Sequence, residues 1–199
     1  VYGAAHGHTP EEFAQSARKS VNQGFTAVKL TPFPDPIRYI DTPAAIETVI
    51  RRVAAVREAV GKEVDVAVDF HRAVSPAMAK LLLKELEPLT PMFVEEPTHP
   101  ENVDALLEIT RSTSIPIATG ERNTTRWGFR EICEKKAAAV LQPDIRHCGG
   151  ILEMRKIASY AEVHYIALAT HSEADAVGVA ASVQVAATIP NLLIQEFGG

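Results

Sequence analysis

The chain has 199 residues, 46% of them hydrophobic and 23% charged, and 20 Lys plus Arg against 25 Asp plus Glu give a net charge of −5. That composition supports a sizeable core and excludes a disordered chain, and the acidic balance, without Lys/Arg runs, excludes a nucleic-acid or anionic-membrane footprint. No window approaches about 18 uninterrupted apolar residues, no basic-then-apolar leader is present, and Cys133 and Cys148 lack metal-ligand spacing, so a reduced cytoplasmic setting is expected.

The chain opens at Val1, without methionine and inside an apolar stretch, and is read as part of a longer protein. Val1 to Ala4 is the first expected strand. Thr9-Pro10-Glu11-Glu12 starts a helix, with an N-cap, a proline in the first turn and acids beside the positive end of the dipole. That helix should reach about Asn22, before Gly24, and Phe25 to Leu30 is the second strand. The three prolines of TPFPDPIRYID, from Thr31, forbid a helix, so this is a long βα loop of the kind that carries substrate contacts.

Asp41 or Thr42 caps the second helix, whose Ile46, Val49, Ile50, Val53 and Val56 recur at helical spacing until Gly61. Strands are expected over 64–69, 92–95, 115–119, 138–141, 166–169 and 192–194. Helices are expected between them over 75–86, 101–112, 126–135, 151–163 and 176–188. Strict alternation predicts a parallel sheet, since parallel neighbours need crossover connections. Eight such strands without a Gly-rich first turn favour a closed barrel over a doubly wound sheet.

In a barrel the site lies where strand C-termini open into loops. The strand ends here carry Lys29, Asp69 with His71, Glu95 with Glu96, Glu121 with Arg122, Asp144, His171 and Glu196. Asp69, Glu95 and Glu121 follow one another at equal intervals of 26 residues, one strand and one helix each. They therefore emerge at one level from neighbouring strands. Three converging carboxylates repel unless a cation joins them, and all-oxygen donors suit Mg²⁺, Mn²⁺ or Ca²⁺ rather than zinc. Adjacent Glu95 and Glu96 must face opposite ways on an extended strand. Glu95 is taken as the inward one and Glu96 as an ion-pair partner or acceptor behind it. Asp144 and His171 end adjacent strands, so the carboxylate can orient the imidazole as a base. His71 shares a face with Asp69 if the strand stays extended past it.

The motifs VDFH at 68–71, FVEEP at 93–97, ATGER at 118–122, LQPDIRHCGG at 141–150, ATH at 169–171 and LIQE at 193–196 resemble the barrel domain of the enolase superfamily. Within it the chain is most similar to the mandelate racemase-like branch and its acid-sugar dehydratases, galactonate dehydratases among them. The resemblance covers essentially residues 1–199 as one catalytic barrel domain. It implies a TIM-like (β/α)7β barrel whose separate capping domain is absent from this chain. It also implies Asp69, Glu95 and Glu121 as Mg²⁺ ligands, Asp144 and His171 as the acid–base dyad, His71 as a second acid–base histidine and Glu196 as a substrate contact.

Two departures stand out. Racemases of this branch carry Lys-x-Lys on the second strand, but Lys29-Leu30-Thr31 lacks the second lysine. The run after the dyad histidine reads Ser172-Glu173-Ala174-Asp175-Ala176, unlike the Cys-Pro-Leu-Gly-Pro-like run of galactonate dehydratases. The resulting expectation is a Mg²⁺-dependent dehydratase of a sugar acid, with His171 as base, His71 protonating the departing hydroxyl and Lys29 stabilising developing negative charge. Glu196, Arg122 and Thr31 would contact the substrate. The pairing of a Lys or His base with Mg²⁺ is what the resemblance to the superfamily implies. Racemase or cycloisomerase chemistry, or a non-catalytic barrel that binds a sugar acid, are the alternatives. A homo-oligomer is expected, with a small-molecule sugar acid as the other partner.

Overall fold

The computed structural model of the chain describes residues 1–33, 40–172 and 175–197. Its strands are β1 (Gly3–Ala4), β2 (Ala27–Leu30), β3 (Asp65–Asp69), β4 (Phe93–Glu95), β5 (Ile117–Thr119), β6 (Val140–Leu141), β7 (Ala167–Thr170) and β8 (Leu192–Gln195). The helices that alternate with them are α1 (Pro10–Asn22), α2 (Pro43–Val60), α3 (Pro76–Leu86), α4 (Val103–Thr110), α5 (Thr125–Lys135), α6 (Gly150–Glu162) and α7 (Ala176–Ala186). The strands form one parallel sheet in sequence order. A parallel bridge between Tyr2 and Glu196, with the Tyr2 N–H 3.3 Å from the Gln195 carbonyl, joins its first and last strands. The expected (β/α)7β barrel is therefore the observed one, and no helix among the described residues is long and apolar enough to cross a membrane.

The helix starts follow from side chains that satisfy otherwise orphaned N–H groups. Thr9 accepts from the Glu12 N–H at 3.2 Å while the Glu12 carboxylate accepts from the Thr9 N–H at 3.2 Å, a closed capping box. Of the two candidates at α2, Thr42 is the cap, accepting from the Ala45 N–H at 3.3 Å. Asp41 sits one residue outside and accepts from the Thr42 N–H at 2.9 Å. Asn102 accepts from the Ala105 N–H at 3.0 Å, which is why α4 begins at Val103 and not at the expected residue 101. The strands are mostly shorter than their apolar runs at the N-terminal side, because flanking residues such as Phe25, Val64 and Ile115 pack without joining the ladder.

Alternation along the strands sorts side chains into two layers. Val28, Leu30, Val66, Val68, Val94, Ile117, Leu141 and Leu168 face the helices and form the main core with residues such as Phe13, Val53, Leu82, Ile109 and Phe129. Tyr2, Ala27, Ala67, Phe93, Ala118, Val140 and Ala169 form a separate apolar plug inside the barrel. One step of two residues further along the same strands, the inward set becomes Lys29, Asp69, Glu95, Gln142, His171 and Glu196. The barrel interior thus changes from a mostly alanine floor to a layer of polar and ionisable groups.

Gly120 marks the transition. Its φ is +127°, and a Cβ there would lie 2.5 Å from the ring of Phe129, itself fully buried. Its N–H donates to Glu96 Oε1 at 3.0 Å. Left-handed strain plus displacement of a packed ring predicts that Gly120→Ala destabilises the protein by about 2–4 kcal/mol, measurable as a lowered urea midpoint.

Candidate active site

Every carboxylate of the inward layer is held by a defined neighbour. Lys29 Nζ lies 3.0 and 2.9 Å from the two Glu95 oxygens and 2.7 Å from Glu196 Oε1, and sits 5.3 Å above the Tyr2 ring. Burial works against the ammonium, but Glu95, Tyr2 and Glu196 outweigh it and hold Lys29 well above its ordinary pKa. It is a fixed cation. Gln142 is fully buried beside Glu95, yet its amide forms no well-shaped hydrogen bond.

Asp69 pairs in register with Glu95 across β3 and β4. Asp69 Oδ2 accepts from Thr31 Oγ1 at 3.2 Å and Oδ1 from the His71 N–H at 2.7 Å. Burial first, then the charge of Glu95, push its carboxyl up to about 8. Glu95 is raised by burial too, against the pull of Lys29. Glu121 behaves oppositely: burial is outweighed by a hydrogen bond from Arg72 and by His171, so its carboxyl is held down. Among the described residues, no three Asp, Glu, His or Cys side chains are placed to share one ion, because Glu95 is turned onto Lys29 and Glu121 onto Arg72. The donor set still fits a hard divalent ion. It is all oxygen, and Asp69 and Glu95 lie at one level on β3 and β4, but Glu121 does not share that level as the equal spacing implied: Ala118 is in register with Glu95, and Glu121 follows the turn beyond β5.

Glu96 has the supporting place expected of it. Its φ of +45° turns it away from the barrel interior, and Oε1 accepts from Thr119 Oγ1 at 2.5 Å and from Gly120. Oε2 accepts from Arg72 Nη1 at 3.2 Å.

On the opposite wall, His171 Nδ1 lies 2.9 Å from Asp144 Oδ2, and the two residues form a parallel bridge just beyond β6 and β7. His171 Nε2 points inward, 3.6 Å from Glu121 Oε2 and 3.7 Å from Glu196 Oε2. Burial lowers the imidazole pKa, but Asp144, Glu196 and Glu121 together leave it raised. Burial would raise Asp144, yet hydrogen bonds from His171 and Arg146 hold it far below the carboxylate range. Glu196 is fixed by the Ser172 N–H at 2.9 Å from Oε2. One nitrogen of His171 is thus oriented and the other is presented to the carboxylates.

Three expectations need revision or restatement. His71 does not continue the strand: its φ is +47°, so the alternation argument that put it on the Asp69 face fails. Its side chain is exposed at the rim, close enough to Glu121 to help lower that carboxyl. The fold does not bring Arg122 to this group, since its side chain is 51% exposed and its guanidinium faces Glu101 at 4.0 Å. Of the loop from Thr31, residues 34–39 lie outside the description, as do Glu173 and Ala174.

Three residues went unread in the sequence. Arg146 grips Asp144 through Nε at 3.1 Å, Nη2 at 2.7 Å and its backbone N–H at 2.7 Å. Arg72 and Gln142 are the others. Gln142 could have been found by counting two residues back from Asp144 along the strand. The arginines follow turns that pattern alone does not reveal. Cys133 and Cys148 are free and buried, with thiols pushed up to about 11 by burial, so neither is a nucleophile.

The described residues thus form a parallel α/β barrel with a buried histidine–aspartate pair and several carboxylates at the C-terminal ends of its strands. The chain belongs to the family described as enolase C-terminal domain-like, whose model matches residues 12–198. It is 39% identical over 196 residues to a D-galactonate dehydratase of Variovorax paradoxus (strain S110), covering 98% of this chain and 51% of that protein. It is 38% identical over 198 residues to a D-galactonate dehydratase of Verminephrobacter eiseniae (strain EF01-2), covering 100% and 52%. The chain spans about half the length of the curated relatives it matches. Among solved structures, a mandelate racemase/muconate lactonizing enzyme-like protein from Rubrobacter xylanophilus DSM 9941 is 36% identical with a TM-score of 0.94, over 99% of this chain and 56% of that one. An enolase superfamily member from Salmonella Typhimurium is 28% identical with a TM-score of 0.95, over 99% and 56%. The membership read from the strand-end motifs is therefore borne out.

Proposed function

We propose that this chain is the catalytic barrel of a Mg²⁺-dependent dehydratase acting on a sugar acid of the galactonate type. The observation that carries the reading is the oriented base: His171 Nδ1 held by Asp144 at 2.9 Å, with Nε2 facing the carboxylate layer. The naming of relatives at 38–39% identity as D-galactonate dehydratases supports the substrate class.

Asp69, Glu95 and Glu121 would hold the ion, which when bound supplies charge stabilisation to the substrate's carboxylate. His171 Nε2 removes the proton on the carbon next to that carboxylate. Lys29, buried and cationic, stands where negative charge develops and makes a second electrostatic contribution. The hydroxyl on the next carbon leaves as water, taking a proton from His71 at the rim. The resulting enol tautomerises to a 2-keto-3-deoxy acid. Glu196, fixed by Ser172, and Thr31, beside Asp69, would receive substrate hydroxyls. Among the described residues His171 is the only imidazole in the inward layer, and Thr31 stands where a second lysine would be, so a two-base racemase lacks its second base.

The ion assignment has its own test. Chelation should abolish turnover of the full-length protein and Mg²⁺ should restore it, while Glu95→Gln should weaken ion binding by at least about tenfold, about 1.4 kcal/mol, in calorimetry. Unchanged affinity in that variant would remove Glu95 from the ligand set.

A further inference from the structure

We propose that Arg72 sets the ion affinity of the carboxylate site by competing with the ion for Glu121; the inference rests on the ligand assignment above. Arg72 has a φ of +60° and follows His71 at +47°, two successive non-glycine residues in left-handed backbone. Such conformations cost free energy and persist where the surroundings enforce them. Here the turn is fixed by the Arg72 N–H to the Glu96 carbonyl at 2.9 Å and the Ala73 N–H to the Phe70 carbonyl at 2.8 Å. Its effect is to send the guanidinium back over the strand ends, where the side chain is only 13% exposed.

There Nη1 bridges two carboxylates, Glu96 Oε2 at 3.2 Å and Glu121 Oε1 in a shorter contact. The two partners are not equivalent. Glu96 is locked from behind by Thr119 and Gly120, so it keeps its place whether or not Arg72 also engages Glu121. Glu121 is the last of the three candidate ligands, and the guanidinium takes one of its oxygens. For Glu121 to join Asp69 and Glu95 around one ion, its pairing with Arg72 must be given up or shared. Arg72 can then fall back on Glu96. Ion binding is therefore an exchange of cations at Glu121, and its affinity is lower than the same carboxylates would show beside a neutral residue 72.

The test measures binding rather than turnover. Full-length protein, freed of ions by chelation, is titrated with Mn²⁺ and followed by electron paramagnetic resonance, for wild type, Arg72→Gln, Arg72→Lys and Glu121→Gln. Arg72→Gln should bind Mn²⁺ about tenfold tighter, about 1.4 kcal/mol, with Arg72→Lys close to wild type. Arg72→Gly, which suits the left-handed backbone, should tighten binding likewise and serves if the Gln variant does not fold. Equal or weaker binding in the neutral variants overturns the proposal. Unchanged binding in Glu121→Gln would instead overturn the ligand assignment, which keeps the two failures apart.

Discussion

Replacing His171 with Asn should lower the rate of α-proton removal by about 10³-fold, within the range a positioned general base contributes. It should do so without unfolding the protein. Asp144, the partner left behind, keeps the hydrogen bonds of Arg146 at 3.1, 2.7 and 2.7 Å, so its buried charge stays compensated. Stability within about 1 kcal/mol of the parent is the expected companion result, as for a substitution that strands no buried charge. Solvent-deuterium exchange into the substrate, followed by NMR, reads the proton step directly. Wild-type exchange rates in the variant would show that another group is the base.

The second large effect is on stability. Lys29→Met removes the cation that lies within 3.0 Å of both Glu95 oxygens and 2.7 Å from Glu196. Glu95 is fully buried, so breaking this pair from one side should cost about 3–5 kcal/mol in urea denaturation. Adding Glu95→Leu should recover part of that loss, because removing both charges leaves less uncompensated. A Lys29→Met protein as stable as the parent would mean that the pair contributes nothing net. Turnover should fall in either variant, since the buried positive charge beside the reacting centre is gone.

The contrast between legible and hidden residues has a physical cause. Strand order and position at the strand C-termini are legible in the sequence, and they bring Lys29, Asp69, Glu95, Asp144, His171 and Glu196 to one end of the barrel. Glu95 faces inward as alternation predicts, whereas Glu96 is turned away by a residue in left-handed backbone rather than by strand alternation. The logic stops where backbone leaves the extended region. His71 and Arg72 adopt positive φ, so neither side chain goes where the strand would have sent it. Arg122 lies past the turn that starts at Gly120 and is directed outward to Glu101. Arg146 folds back on Asp144 through a turn of two residues, which no periodicity encodes. Several strands are shorter than their apolar runs for a related reason, since residues such as Val64 and Ile115 are buried without belonging to the strand.

Catalysis requires that His171 and the carboxylate layer convert a sugar acid rather than hold one. The most direct measurement incubates the full-length protein with galactonate and Mg²⁺ in deuterated water and follows substrate and product by NMR. Formation of a 2-keto-3-deoxy acid, lost on His171→Asn, is the predicted result. Exchange of the α-proton without loss of water across a library of acid sugars would move the reaction to racemase-type chemistry, and binding without exchange or product would contradict catalysis itself.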